Sequence, residues 1–112
     1  MSKVDDTTWL RHMLEAAQEA NEFSQGKTRQ DLDSDRILSL ALVRLLEIIG
    51  EAASKVSQER QKQIPEIPWR KMIGMRNRIV HAYFEIDLDI LWDTITYDLH
   101  ELIPILKKYL TN

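Results

Sequence analysis

Arg76, Asn77, Arg78 and His81 fall within the run Arg76-Asn77-Arg78-Ile79-Val80-His81-Ala82-Tyr83, and their types describe one kind of chemistry. An imidazole titrating near neutral pH can take the proton of a ribose 2′-OH or return one to a leaving 5′ oxygen. An arginine fork can hold the non-bridging oxygens of a phosphate as charge builds on them, and asparagine can orient the phosphate or the sugar. On a helix, Asn77 and His81 are four apart and share a face, with the long Arg76 side chain reaching the same phosphate from the adjacent face. The pattern outlines a phosphate site suited to RNA cleavage without a metal. The plainer alternative is that these residues cap a helix C-terminus or pair with acids of the following helix, and the spacing alone does not choose between the two.

Other chemistry finds less support. There is no cysteine, so disulfides, thiolate metal sites and cysteine nucleophiles are excluded. His12 has no cluster around it, and His100 lies among Asp98 and Glu101; neither is assigned a role. No metal-binding histidine pair occurs, Glu47 and Glu51 read as a solvated ridge, and no metal or cofactor is expected. Trp9, Trp69 and Trp92 each sit in an apolar stripe and read as core or interface filling rather than as a base-stacking platform.

The charge is partitioned around the same run. The net charge is −3, yet residues 60–81 carry six Lys/Arg against one Asp/Glu, while residues 1–59 and 82–112 each come to −4. A basic island in an acidic chain can hold a phosphate backbone while the rest repels non-specific binding. Arg70, Lys71 and Arg78 belong to it and are the candidate RNA-phosphate contacts.

These residues need elements to position them. A chain of 112 residues with 44% hydrophobic and 29% charged residues predicts one domain, residues 1–112, with one small core. Three Gly and three Pro leave too few turns for a small β-sandwich or barrel, so the expectation is all-α. A first helix follows the caps at Asp5-Asp6-Thr7-Thr8, carries Leu10, Met13, Leu14, Ala17 and Ala20, and closes at Gly26. The polar stretch from Gln25 to Asp31 is a loop. A long central helix follows Asp33-Ser34-Asp35, with a stripe of Ile37, Ala41, Leu45, Ile48, Ala52 and Val56 flanked by Leu38, Leu42, Ile49 and Ala53. Ile64-Pro65-Glu66-Ile67-Pro68 breaks it. A third helix starts near Pro68 with Trp69, Met72, Ile73, Met75, Ile79 and Val80 as core. Asp87 caps a fourth with Leu88, Leu91, Ile95, Leu99 and Leu102, which Pro104 kinks or restarts. Four to five antiparallel helices with short loops make a bundle. The acidic N-terminus, Met1 to Asp6, reads as no signal peptide and no apolar window is long enough for a bilayer, so the expectation is a cytoplasmic protein with no membrane partner.

Three separated stretches carry a family resemblance. Leu45-Leu46-Glu47-Ile48-Ile49-Gly50-Glu51-Ala52-Ala53, then Ile67-Pro68-Trp69, then Gly74 through Phe84 resemble the HepT-like branch of the HEPN superfamily in order and spacing, over residues 32–110. The resemblance implies a dimerising antiparallel helical bundle. It further implies a toxin of a toxin–antitoxin pair acting as a metal-independent endoribonuclease, with an Arg-x4-His motif from each protomer of a homodimer facing a shared cleft. Arg76 and His81 occupy the motif positions, and Asn77 matches the polar residue after the arginine. The implied partner is a cognate minimal nucleotidyltransferase antitoxin of the MntA type, which transfers AMP to the motif tyrosine, here Tyr83. The alternatives from other classes are a non-catalytic accessory or binding subunit of such a nucleotidyltransferase, and a helical scaffold.

Overall fold

A computed structural model describes residues 5–111, with Phe84 described by its backbone alone; residues 1–4, on which the reading of the N-terminus leans, and residue 112 lie outside it. The described chain is helical, and its one piece of β pairing is an isolated antiparallel bridge between Val80 and Ile86.

Three long rods build the core, and each starts where an aspartate can satisfy a free amide. Helix α1 (Asp6–Ser24) is capped by Asp5, whose carboxylate accepts from Thr8 N at 2.9 Å, and the chain leaves it through Gly26 at φ 72°. Helix α3 (Arg36–Lys55) is capped by Asp35 accepting from Leu38 N at 3.0 Å. The third rod is α7 (Leu88–Asp93), a π segment (Thr94–Asp98) and α8 (Leu99–Leu110), capped by Asp87 accepting from Ile90 N at 3.0 Å. Shorter helices fill the joints: α2 (Asp31–Ser34), α4 (Gln58–Gln63), α5 (Trp69–Ile73) and α6 (Met75–Ile79). Helix α3 is central, packing on α1 with one side and on α5 and α6 with another, while α1 also packs on α8. No described helix is long and apolar enough to cross a membrane.

The all-α bundle agrees with the expectation, and its departures have physical reasons. The buried face of α3 and its C-cap takes the predicted flank, Leu38, Leu42, Ile49 and Ala53, together with Leu45, Ala52 and Val56 of the predicted stripe and also Leu46, whereas Ile37 is 81% exposed. Two partners make that face wide: α1 on one side and the α5–α6 pair on the other. Helix α2 forms between the expected loop and the cap of α3 because Leu32 can be buried there, with Ser39 Oγ donating to Leu32 O at 3.0 Å. Pro104 does not restart the last helix, which runs through it; the proline is exposed, so water can take the carbonyl that loses its partner. The departure from α geometry lies upstream, where Thr94 Oγ1 donates to Ile90 O at 2.8 Å and the ladder shifts to the wider π pattern.

Candidate active site

The segment from Pro68 to Asp87 carries the chemistry and is held from both ends. At its start, the indole Nε1 of Trp69 donates to Gln61 O at 3.1 Å and Ile64 O at 3.0 Å, which ties the proline loop to the first turn of α5. The expected third helix is broken at Gly74 into α5 and α6. Helix α3 approaches this break closely. A Cβ on Gly50 would stand 3.1 Å from Met72 O and 3.3 Å from Ile73 O, so only glycine allows the backbones this near.

Helix α6 then ends at Ile79, and this corrects the helical-face expectation for His81. After the β-branched Ile79 the chain turns extended at Val80, φ −103° and ψ 120°. His81 N donates to Glu85 O at 2.8 Å and Asp87 N donates to Ile79 O at 2.7 Å, clasping the loop between them. His81 is thus outside the helix and shares no helix face with Asn77. At the tip is a 3₁₀ turn (Ala82–Phe84) with Tyr83 in the left-handed region, φ 63° and ψ 23°, and 99% exposed. A non-glycine residue there costs about 1 kcal/mol or more. The clasp holds the phenol out in water against that cost.

The predicted site residues fall into three grooves and one loop tip. Arg76 is half-buried, and its Nε donates to Glu47 Oε2 at 3.1 Å, which leaves the terminal nitrogens of the fork unbonded by any described residue. With Asn77, it lines a groove of about 260 Å³ whose other wall includes Glu47, Gly50, Glu51 and Ile73. His81 lines a different concavity with Arg29, Glu85, Asp87 and Asp89, and its Nε2 is 3.9 Å from Asp87 Oδ2. Arg29 there is already held by Asp89 at 2.8 Å and Asp33 at 3.1 Å, and its bond to Asp89, foremost, raises its pKa. Arg70, Lys71 and Arg78 line a third groove with Pro68 and Trp69. Tyr83 stands apart at the loop tip.

Part of the plainer alternative is realised, since His81 faces Asp87 and Lys71 Nζ is 3.0 Å from Asp98 of the last rod. Arg76 instead pairs with an acid of the central helix. Glu47, read from the sequence as half of a solvated ridge, is the residue that sequence reasoning missed. Its partner is 29 positions away, and no local spacing signals such a pair. Of the other histidines, His12 is exposed with its ring edge-on to Trp9 and His100 is exposed on α8. Among the described residues no group of three or more His, Asp or Glu is placed to hold a metal ion.

Comparisons with known proteins agree on one relationship. A family model described as "Ribonuclease HepT-like" matches residues 13–109. A Thermococcus cleftensis protein named "Probable ribonuclease HepT" is 37% identical over 84% of this chain and 86% of its own. A protein of Methanocaldococcus jannaschii named a "Putative RNase" is 34% identical over 96% of this chain and 95% of its own, and one of the same description from Caldanaerobacter subterraneus is 34% identical over 91% of each. No solved structure matches. The family match spans every element that builds the site, from the middle of α1 to the last turn of α8, and the chain belongs to the HepT-like family of the HEPN superfamily.

Proposed function

We propose that this protein is a metal-independent endoribonuclease, the toxin of a toxin–antitoxin pair, working as a homodimer. The observation that carries the reading is the division of the chemistry within one chain. Arg76 and Asn77 line one groove and His81 another, each with its reactive side turned to solvent. One imidazole also cannot serve at once as base for the 2′-OH and acid for the 5′ oxygen. A two-fold pairing that joins the grooves of two copies supplies two imidazoles and two forks to one phosphate. The bond from the 2′ oxygen to phosphorus forms and the bond to the 5′ oxygen breaks. One His81 takes the 2′ proton, the other gives a proton to the leaving oxygen, and Arg76 stabilises the charge on the phosphoryl oxygens. Asn77 orients the phosphate, and Arg70, Lys71 and Arg78 supply the electrostatic footprint along the strand.

Glu47 fits this reading as a positioning residue. It holds Arg76 through Nε alone, so the two terminal nitrogens keep the geometry that matches two phosphate oxygens. In the same reading, a cognate minimal nucleotidyltransferase neutralises the toxin by transferring AMP from ATP to the Tyr83 hydroxyl, releasing pyrophosphate. The exposure of the phenol, two residues from His81 on a clasped loop, supports that assignment. The adenylate brings negative charge and bulk to the place where substrate phosphate binds, and the arginines hold it instead.

The test is cleavage of RNA in EDTA by the wild type and by His81→Ala and Arg76→Ala. Each variant is expected to lose roughly 10²–10⁴-fold in rate while keeping its helical circular dichroism, and the wild-type product is expected to end in a 2′,3′-cyclic phosphate. Undiminished cleavage by His81→Ala would overturn the role of His81, strict dependence on added magnesium would overturn the metal-independent mechanism, and a wild type that cuts no RNA would turn the reading to an accessory subunit.

A further inference from the structure

The groove beside the proline loop has a composition that the proposed cleavage chemistry does not require. Its walls are Pro68 and the half-buried Trp69, its rim is Arg70, Lys71 and Arg78, and its volume is about 640 Å³. We propose that it is a subsite for one unpaired nucleotide of an RNA strand, with the base stacked on the Trp69 indole and the flanking phosphates held by Arg70 and Arg78. This deepens the ribonuclease reading and rests on it for the identity of the ligand: it makes the substrate single-stranded at this position.

Three observations point the same way. The first is what Trp69 has left to offer, for the ring that the sequence reads as core or interface filling packs on the core and is yet only half-buried. Its one polar atom is spent twice over, on Gln61 O and Ile64 O, so the ring is fixed in place and what faces the groove is carbon surface. A locked aromatic ring pays little rotamer entropy when a base stacks on it, and every base has a π-face to present. The second is charge. The chain is net acidic, and Arg29, Arg44, Arg76, Lys71 and Lys108 all have carboxylate partners, yet Arg70 and Arg78 have neither an ion pair nor a hydrogen bond among the described residues. Lys71 is held by Asp98 at 3.0 Å and contributes less. Two free guanidinium groups flanking an apolar wall complement a ligand that alternates phosphate with flat apolar rings. The third is continuity. Arg78 lies on α6 two residues from Arg76, on the far side of a helix roughly 10 Å across, so a strand whose scissile phosphate is at Arg76 reaches this groove by crossing α6. A duplex keeps its bases stacked inside and presents phosphates, 2′-hydroxyls and base edges but no free base face, which leaves the indole without a stacking partner.

The experiment reads Trp69 alone, in the full chain with Trp9→Phe and Trp92→Phe, by fluorescence quenching. The ligands are a 2′-O-methyl oligoadenylate, which lacks the attacking hydroxyl, an abasic phosphodiester of equal length, and a duplex of equal charge. Because both replaced tryptophans pack on the core, the same titrations are repeated on wild-type protein carrying fluorotryptophan and followed by fluorine NMR. The base-bearing strand is expected to quench Trp69 saturably and to bind about 5- to 150-fold more tightly than the abasic strand, the range that one stacked base supplies. The duplex is expected to leave Trp69 unchanged. Arg70→Gln with Arg78→Gln is expected to lower the slope of log affinity against log salt by about 1.4, for two phosphate contacts on a single strand. Equal affinity for the abasic and base-bearing strands overturns the subsite, as does a Trp69 shielded from acrylamide in a second copy and silent to every ligand. The two readings separate cleanly. Cleavage of RNA by a protein whose Trp69 does not respond overturns the subsite and leaves the ribonuclease, whereas a responding Trp69 in a protein that cuts nothing supports the subsite and overturns the nuclease.

Discussion

Replacing Gly50 with alanine tests whether the close approach of the central helix to the α5–α6 break positions the site. In an open helix interior Gly→Ala gains about 1 kcal/mol, because alanine loses less backbone entropy. Here the new methyl would stand 3.1 Å from Met72 O and 3.3 Å from Ile73 O, and 3.8 Å from Ile73 C. All three are backbone atoms, so no flexible side chain can step aside, and α5 has to move away from α3. Overpacking of this kind costs roughly 1–3 kcal/mol, which leaves a net loss of about 0–2 kcal/mol where propensity alone gives a gain. At several degrees per kcal/mol, the melting temperature is expected to fall by up to roughly 8–10 °C. Ser54→Ala is the control on the same helix. It is exposed, its hydroxyl bonds only Glu51 O, and it is expected to change stability by a few tenths of a kcal/mol. The displacement also carries Arg76 away from Glu47, so RNA cleavage measured well below the melting transition is expected to drop further than the folded fraction does. A Gly50→Ala protein more stable than wild type by the full 1 kcal/mol would refute the argument, since it would show that the two backbones can part at no cost.

Three further outcomes are expected. Tyr83→Phe is expected to keep fold and cleavage but to escape the antitoxin, with intact-mass spectrometry after incubation with antitoxin and ATP showing added AMP on the wild type only; equal labelling of the Phe variant would move the modification elsewhere. Tyr83→Gly removes left-handed strain at a 99% exposed residue and is expected to be neutral or stabilising by up to about 1 kcal/mol in urea titrations, whereas Tyr97→Gly in the last rod is expected to cost about that much. Glu66 accepts from its own backbone amide, from the Tyr109 hydroxyl at 2.8 Å and from Lys108 Nζ at 3.1 Å; those bonds hold its pKa below the ordinary 4.5. A lowered carboxylate pKa stabilises above the ordinary value and is lost as pH falls through the lowered one. The excess stability of wild type over Glu66→Gln is therefore expected to be full at pH 6–7 and to vanish in strong acid, read by melting temperature against pH; a pH-independent difference would contradict it.

The long rods were legible because each repeats the same local signals. Asp5, Asp35 and Asp87 all accept an amide three residues on, and apolar residues recur behind them at helical spacing. What the sequence hid depends on partners distant along the chain. Helix α4, Gln58–Gln63, buries nothing and so carries no periodicity to find. The pairing of Glu47 with Arg76 follows from where α5 and α6 dock, which no window of consecutive residues contains. Types and order of the site residues could be read; their division among three grooves could not.

That division has a cause in the composition of the segment itself. Between Gly74 and Asp87 the chain places three cationic or polar side chains in succession, then a β-branched pair, and a core helix of that composition would bury charge. Among the described side chains of this stretch only Met75 and Ile79 are fully buried, one turn of helix between them. The segment accordingly cannot position itself by packing and is fixed from outside: upstream by the Trp69 indole on the α4 carbonyls, at Gly50 by backbone contact, and downstream by the Ile79–Asp87 clasp. Residues anchored at the ends of a segment keep their side chains free in the middle of it. A site that must grip a phosphate transiently needs cations whose hydrogen bonds are unspent, and the same composition that denies this segment a longer helix leaves Arg78 and the fork of Arg76 in that state.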